Sequence, residues 1–152
     1  MYNSGAKQYQ QVNVTSEVLD ADPHRLIQLL MEAALTRMSQ AKGAIERNEM
    51  ESKAHLLGRV MEIIHTLQGS LNHDAGGEVA TNLDRLYDYM NRRLLMASAR
   101  NDVSMVDEVM ALMLQVKQGW DGIRDEYLSS SGTPRHAGAA GVESRLENHI
   151  SA

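Results

Sequence analysis

Cysteine and phenylalanine are absent from this chain, prolines number two, and the aromatic share is 4%. Without thiols there is no disulfide scaffold, no thiolate metal site and no cysteine nucleophile, a composition that suits a reducing compartment. No stretch approaches the roughly 18 consecutive apolar residues of a membrane span. The opening MYNSGAKQYQQ lacks the apolar core of a secretory signal. Basic residues are outnumbered 15 to 20, giving a formal net charge of −5 without any basic cluster, which argues against nucleic acid as the main partner. These absences predict a soluble protein of the cytosol.

What is present is ordinary in bulk and unusual in detail. The 152 residues are 43% apolar and 23% charged, as expected for one globular domain with a single core. Ten methionines stand out. An unbranched, polarizable side chain fills irregular core gaps and also suits surfaces that adapt to a partner.

The stretch Gly76–Leu95, GGEVATNLDRLYDYMNRRLL, has the strongest internal logic. After two glycines, Val79, Leu83, Leu86, Met90 and Leu94 recur in steps of three and four, the signature of one helix face. Tyr87 shares that face, with Tyr89 beside it. The other segments follow in order. Residues 1–20 form an arm in which Val12 and Val14 alternate with polar neighbours. Asp22-Pro23 is a helix start, an N-cap followed by proline at the first helical position. The first helix carries Ile27, Met31, Ala34, Met38, Ala41 and Ile45, and fades in Glu46–Glu51. A second runs from about Ser52 to Leu71 on Leu57, Val60, Ile64, Leu67 and Leu71, widened by Met61 and Ile63 so that it touches two neighbours. Asn72–Gly77 breaks the chain, and the third helix lasts to about Arg100.

Asp102 caps a fourth helix with the cleanest period: Val106, Val109, Met113, Val116, Trp120, Ile123 and Tyr127. Its early acids Asp107 and Glu108 suit the positive end of the helix dipole. The tail from residue 129 is rich in Ser, Gly and Ala and is expected to be mobile, apart from a helical turn near Val142–Ile150. Long helices joined by short breaks become antiparallel neighbours, and alternating steps of three and four match shallow left-handed packing. The expected fold is all-α: an antiparallel up-down four-helix bundle over residues 21–128, with an N-terminal arm and a loose C-terminal tail.

Constellations for catalysis or metal binding are weak. Glu62-Ile-Ile-His65 has the spacing of a di-iron ligand pair, but the site would require a second such pair and two more inward carboxylates. The third and fourth helices supply no histidine. His65-Thr-Leu-Gln-Gly-Ser70 is similar to the signature of histidine phosphotransfer domains, which are also four-helix bundles. There a lysine three positions after the histidine offsets the phosphoryl charge; here the position is Gln68, which removes that stabilisation. There is no nucleophile elbow and no phosphate loop. No catalytic residue, cofactor or metal is therefore expected, with phosphotransfer through His65 as the alternative function.

Gly76–Leu95 resembles the most characteristic block of the flagellar secretion chaperones, the FliS family. The resemblance extends to KQYQQVNV around Tyr9, to DADPHRLIQLLMEAAL at the first helix, to MEIIHTLQGSL within Val60–Leu71, and to Val116-Lys-Gln-Gly-Trp120. It covers roughly residues 7–125. One departure is Leu30-Met-Glu-Ala-Ala34, where many members carry a Tyr-Asp-Gly type sequence. The resemblance implies a cytosolic binding protein without turnover. Its client is the disordered C-terminal segment of flagellin, held in apolar grooves and passed to the flagellar type III export gate. Flagellar regulatory proteins are further partners, and the expected state is a monomer or weak dimer without membrane insertion.

Candidate client-binding or groove-covering residues are Tyr9, Val12 and Val14 in the arm, Met61 and Leu67, then Asn82, Leu86, Tyr87 and Met90, and finally Met110, Met113 and Trp120. The arm is expected to cover part of the groove until the client displaces it. Burying its three apolar side chains contributes about 5–7 kcal/mol, close to the cost of ordering some ten residues. The rings of Tyr87 and Trp120 are expected to be largely core, with the Tyr87 hydroxyl or the Trp120 N–H finding a polar partner.

Overall fold

The structure, a computed structural model, describes residues 20–129. Four long helices occupy this range: α1 (Pro23–Glu46), α2 (Met50–Gly69), α3 (His73–Arg100) and α4 (Val103–Gly122), followed by a short α5 (Arg124–Ser129). The fold is an all-α four-helix bundle.

Local chemistry explains the boundaries. Asp22 caps α1 by accepting the Arg25 backbone N–H at 2.8 Å, and Pro23 occupies the first turn. Asn48 (φ 57) ends α1 in the left-handed region that asparagine tolerates. The next amide, of Glu49, reaches back to the Ala44 carbonyl at 2.8 Å, closing a Schellman turn. The device repeats at the end of α3, where Asn101 has φ 53 and the Asp102 amide bonds the Ala97 carbonyl at 3.1 Å. Asp102 then caps α4 through the Ser104 N–H at 2.9 Å.

These tight connections make neighbours antiparallel. Helix α1 packs against α2 and α4, and α3 packs against the same two, so the helices form a ring of four around one core. The core is the set of seams: Met31, Ala34, Met38 and Ala41 from α1; Leu57, Val60, Ile64 and Leu67 from α2; Val79, Leu83, Tyr87, Met90 and Leu94 from α3; Val106, Val109, Met113 and Val116 from α4. Each fully buried Leu, Ile, Val or Met of this set contributes about 1.5–3 kcal/mol. Methionine serves both ends of its range: Met31, Met38, Met90, Met105 and Met113 are buried, whereas Met61, Met96 and Met110 sit at the edge of the core.

Three expectations need correction. The break before the third helix is residues 70–72 and not Asn72–Gly77; the Asn72 side chain accepts the Ala75 N–H at 3.1 Å, and the irregularity moves to Gly77 (φ 52, ψ −124). A turn of helix thus precedes the kink instead of a loop. The fourth helix is not continuous to Tyr127. It stops at Gly122, and Ile123 (φ −104, ψ 6) turns the chain into α5; Gly119 and Gly122 lower the helix propensity there. The Tyr127 side chain lies outside the described residues. Finally, Asp107 and Glu108 do not serve the start of α4, because both carboxylates reach sideways to other helices.

Candidate binding surface

Hydrogen bonds and ion pairs fix which side of each helix faces which neighbour. On α3, one flank points to α4: the Tyr89 hydroxyl donates to Glu108 Oε2 at 2.5 Å and Arg93 Nε donates to Glu108 Oε1 at 2.7 Å. Both contacts favour the charged carboxylate and lower the Glu108 pKa, with the Tyr89 hydrogen bond the larger cause. Leu86 lies one turn before Tyr89, and Leu112 one turn after Glu108, so the two leucines share this seam. Both are partly buried. Asn82, one turn before Leu86, is exposed.

The opposite flank of α3 is polar. Gln68 of α2 donates to the Asp84 carbonyl, to Asp84 Oδ1 and to Asp88 Oδ1 at 3.1, 3.1 and 2.7 Å. Asn91 Nδ2 lies 3.5 Å from the Met61 carbonyl, and Asn91 Oδ1 is buried without a partner among the described residues. Met61 borders this flank, partly buried against the core.

The far side of α4 faces α1. Lys42 pairs with Asp107 at 2.5 Å, Lys117 with Glu32 at 3.7 Å, and Gln28 donates to Asp121 Oδ1 at 2.7 Å. Between these ties, helical spacing places Leu35 on α1 and Met110 and Leu114 on α4. Leu35 and Met110 are partly buried, and Leu114 is 45% exposed. Two apolar strips with polar rims therefore run along α4, one on each side.

The remaining candidates separate by burial. Leu67, Tyr87, Met90 and Met113 lie inside the core, each at most 3% exposed. Burial raises the Tyr87 pKa, and no hydrogen bond joins its hydroxyl to another described residue. Tyr9, Val12 and Val14 lie outside the described residues. Trp120 is partly buried and anchors a cluster that the periodicity gave no sign of. Its indole N–H donates to the His24 carbonyl at 2.9 Å, and its ring stacks on the His24 imidazole with centroids 4.6 Å apart and 8° between planes. His24 is fully buried. Its Nε2 lies 2.7 Å from the Trp120 carbonyl, which can only accept, so Nε2 carries the proton. Its Nδ1 faces Arg124 NH1 at 3.3 Å, and the Arg124 guanidinium forks onto both Asp22 oxygens at 2.8 Å. That fork is the largest cause of the drop in the Asp22 pKa to about 2. The only local signal was the N-cap itself: the residues after Asp22-Pro23 had to include whatever closes that end.

Among the described residues no group of three or more His, Cys, Asp and Glu could hold a metal ion. Glu62 and His65 are exposed on α2. Gln68, where a phosphotransfer domain carries its lysine, is engaged by two aspartates, whose negative field opposes a phosphoryl group on the same face. No helix among the described residues is long and apolar enough to cross a membrane.

The sequence model of the family described as flagellar protein FliS matches residues 5–127. The chain belongs to the FliS family. It is 55% identical over 117 residues to the flagellar secretion chaperone FliSB of Pseudomonas aeruginosa, an alignment covering 77% of this chain and 93% of that protein. Against the flagellar secretion chaperone FliS of Salmonella typhimurium the identity is 40% over 121 residues, or 79% of this chain and 90% of the relative. The Bacillus subtilis chaperone of the same name is 31% identical over 134 residues, covering 88% and 92% of the two chains. The FliS family match thus takes in most of residues 1–20, all four long helices and most of α5.

Proposed function

We propose that this FliS-family chain is a cytosolic export chaperone that binds the disordered C-terminal segment of flagellin. By holding that segment it prevents premature polymerisation and delivers the subunit to the flagellar type III export apparatus. The observation that carries this proposal is the family match over residues 5–127 together with 55% identity to a flagellar secretion chaperone. The surface supports it physically. An amphipathic client helix buries side chains at three- and four-residue spacing in an apolar strip with a polar rim, and two such strips flank α4. Leu86 and Leu112 line one; Leu35, Met110 and Leu114 line the other. Coupled folding and binding then covers a large area at modest affinity per unit area. Of the sequence candidates, Leu86 and Met110 line these strips, and the flexible Met110 can repack around a guest, while Leu67, Tyr87, Met90 and Met113 support the groove floor from within.

Titration with a peptide spanning the flagellin C-terminus, followed by Trp120 fluorescence and calorimetry, tests the proposal. The expected result is 1:1 binding in the micromolar range or tighter, on the order of −8 kcal/mol. Met110→Asp and Leu86→Asp should each weaken it about tenfold or more, since a carboxylate must then be desolvated in the strip. Removing residues 1–14 should leave affinity unchanged or tighter if the arm covers the groove. No heat and no spectral change across the micromolar range would defeat the proposal.

A further inference from the structure

Two segments leave the bundle at the same end: the stretch entering α1 at Asp22 and α5, which follows α4. Helix α5 has six residues and packs chiefly against α4; a helix this short does not hold itself together. What ties it across to α1 is Arg124, which engages Asp22 with two nitrogens and lies against His24 Nδ1 with one of them. The His24 ring is satisfied as a neutral group: Nε2–H donates to the Trp120 carbonyl, and bare Nδ1 meets a cation that can only donate. A second proton has one place to go, Nδ1, where it would point at the guanidinium.

We propose that His24 is the trigger of a proton-operated latch, in which protonation at Nδ1 drives Arg124 from its seat and releases α5 from the start of α1. Among the described residues, Asp22, Asp121 and Arg124 are the charged groups that bear on the ring. From the α1 cap, Asp22 favours the imidazolium but is already committed to Arg124. From α4, Asp121 also favours it but is held by Gln28 and Lys117. From α5, Arg124 opposes it. Burial is the strongest influence and lowers the His24 pKa below 6.5; the hydrogen bond to the Trp120 carbonyl acts the other way without reversing this. The closed latch binds the proton less readily than the open one. It is therefore fully closed above about pH 6.5 and opens as pH falls below that value. The Trp120 stack and the fork open together, because the same imidazole serves both.

The test uses the full chain without client, so its outcome is independent of flagellin binding. Trp120 is the single tryptophan and touches the trigger directly. From about pH 8 to about pH 5 its emission should change in one step with a midpoint below 6.5. Protection factors for the amides of 124–129, corrected for intrinsic exchange, should fall up to about tenfold per pH unit as pH drops from about 6.5 to that midpoint and level off below it, while those of Leu57–Leu67 hold. His24→Gln, whose amide can still donate to the Trp120 carbonyl, should abolish the step. Arg124→Gln removes the opposing cation and frees Asp22, so it should move the midpoint upward. Direct NMR titration of the His24 imidazole in the unaltered protein covers the case in which His24→Gln does not fold. The latch is wrong if neither emission nor 124–129 protection steps with pH, if the step survives His24→Gln, or if Arg124→Gln lowers the midpoint. It is equally wrong if the imidazole titrates without any loss of protection in α5.

Discussion

The two ends of the bundle solve one problem with different chemistry. At the α1 start, the carboxylate Asp22 and the imidazole His24 close the end with the guanidinium Arg124, which lies 102 and 100 residues further along the chain. At the opposite end, Lys53 of α2 is 8% exposed, and its ammonium rests on neutral acceptors alone: the Ser98 carbonyl at 2.8 Å, Asn101 Oδ1 at 2.7 Å and Met50 Sδ at 3.5 Å. The first two lie at the C-terminus of α3, where the helix dipole is negative and favours a cation. One end is held by a carboxylate, an imidazole and a guanidinium; the other by an ammonium set against a helix dipole. A charge at a bundle end can thus be met by a counter-charge or by the backbone itself.

The largest effect expected is from His24→Ala. It removes a fully buried ring, its stack on Trp120 and the donor to the Trp120 carbonyl, and should cost about 3 kcal/mol in urea-induced unfolding. A loss below about 1 kcal/mol would mean the clasp end is slack. Lys53→Ala should cost less, about 2 kcal/mol, as the charged hydrogen bonds to Ser98 and Asn101 disappear. Lys53→Met keeps most of the packing and should recover about half of that; if Met is as damaging as Ala, the ammonium matters more than its stem.

The smallest effect is the most selective. Asp22 has its pKa lowered to about 2, so its folded form binds a proton less readily than the unfolded chain. Its contribution is whole above about pH 4 and is lost as pH falls through about 2. Because the carboxylate is near a third exposed, solvent screening limits this to about 1 kcal/mol. Asp22→Asn retains an N-cap residue and should remove the acid-dependent loss of stability between those pH values, measured by denaturation at each pH. Lys53→Met should leave that loss intact. An acid response equal in both variants would erase the distinction between the ends.

Features encoded within a few residues were legible before the structure. Asp22-Pro23 and Asp102 cap helices through amides two or three positions away, and the seams repeat within a turn, so pattern alone placed Leu57, Leu83, Met90 and Met113 inward. The cluster of Asp22, His24, Trp120 and Arg124 was illegible because its contacts join residues 96 to 102 apart; nothing near His24 announces Trp120. The split between α4 and α5 was missed for the opposite reason. The seam period continues through Ile123 and Tyr127, and a period records which side chains face inward without recording whether the backbone stays helical. Among the candidate binding residues, periodicity found the seams but could not separate floor from rim. Leu86 and Met90 are one turn apart, yet Met90 is fully buried and Leu86 is not, because the difference depends on how closely α4 approaches.

The kink at Gly77 carries a consequence about handedness. A methyl group added there would meet nothing within 4 Å, yet its φ is +52. Space is therefore plentiful, and the constraint on this position is its chirality. An L-alanine should be strained, whereas its mirror image prefers positive φ and would restrict the unfolded chain as well. A chemically synthesised chain with D-alanine at position 77 should be more stable than the glycine original by about 0.4–1 kcal/mol, with L-alanine less stable than both.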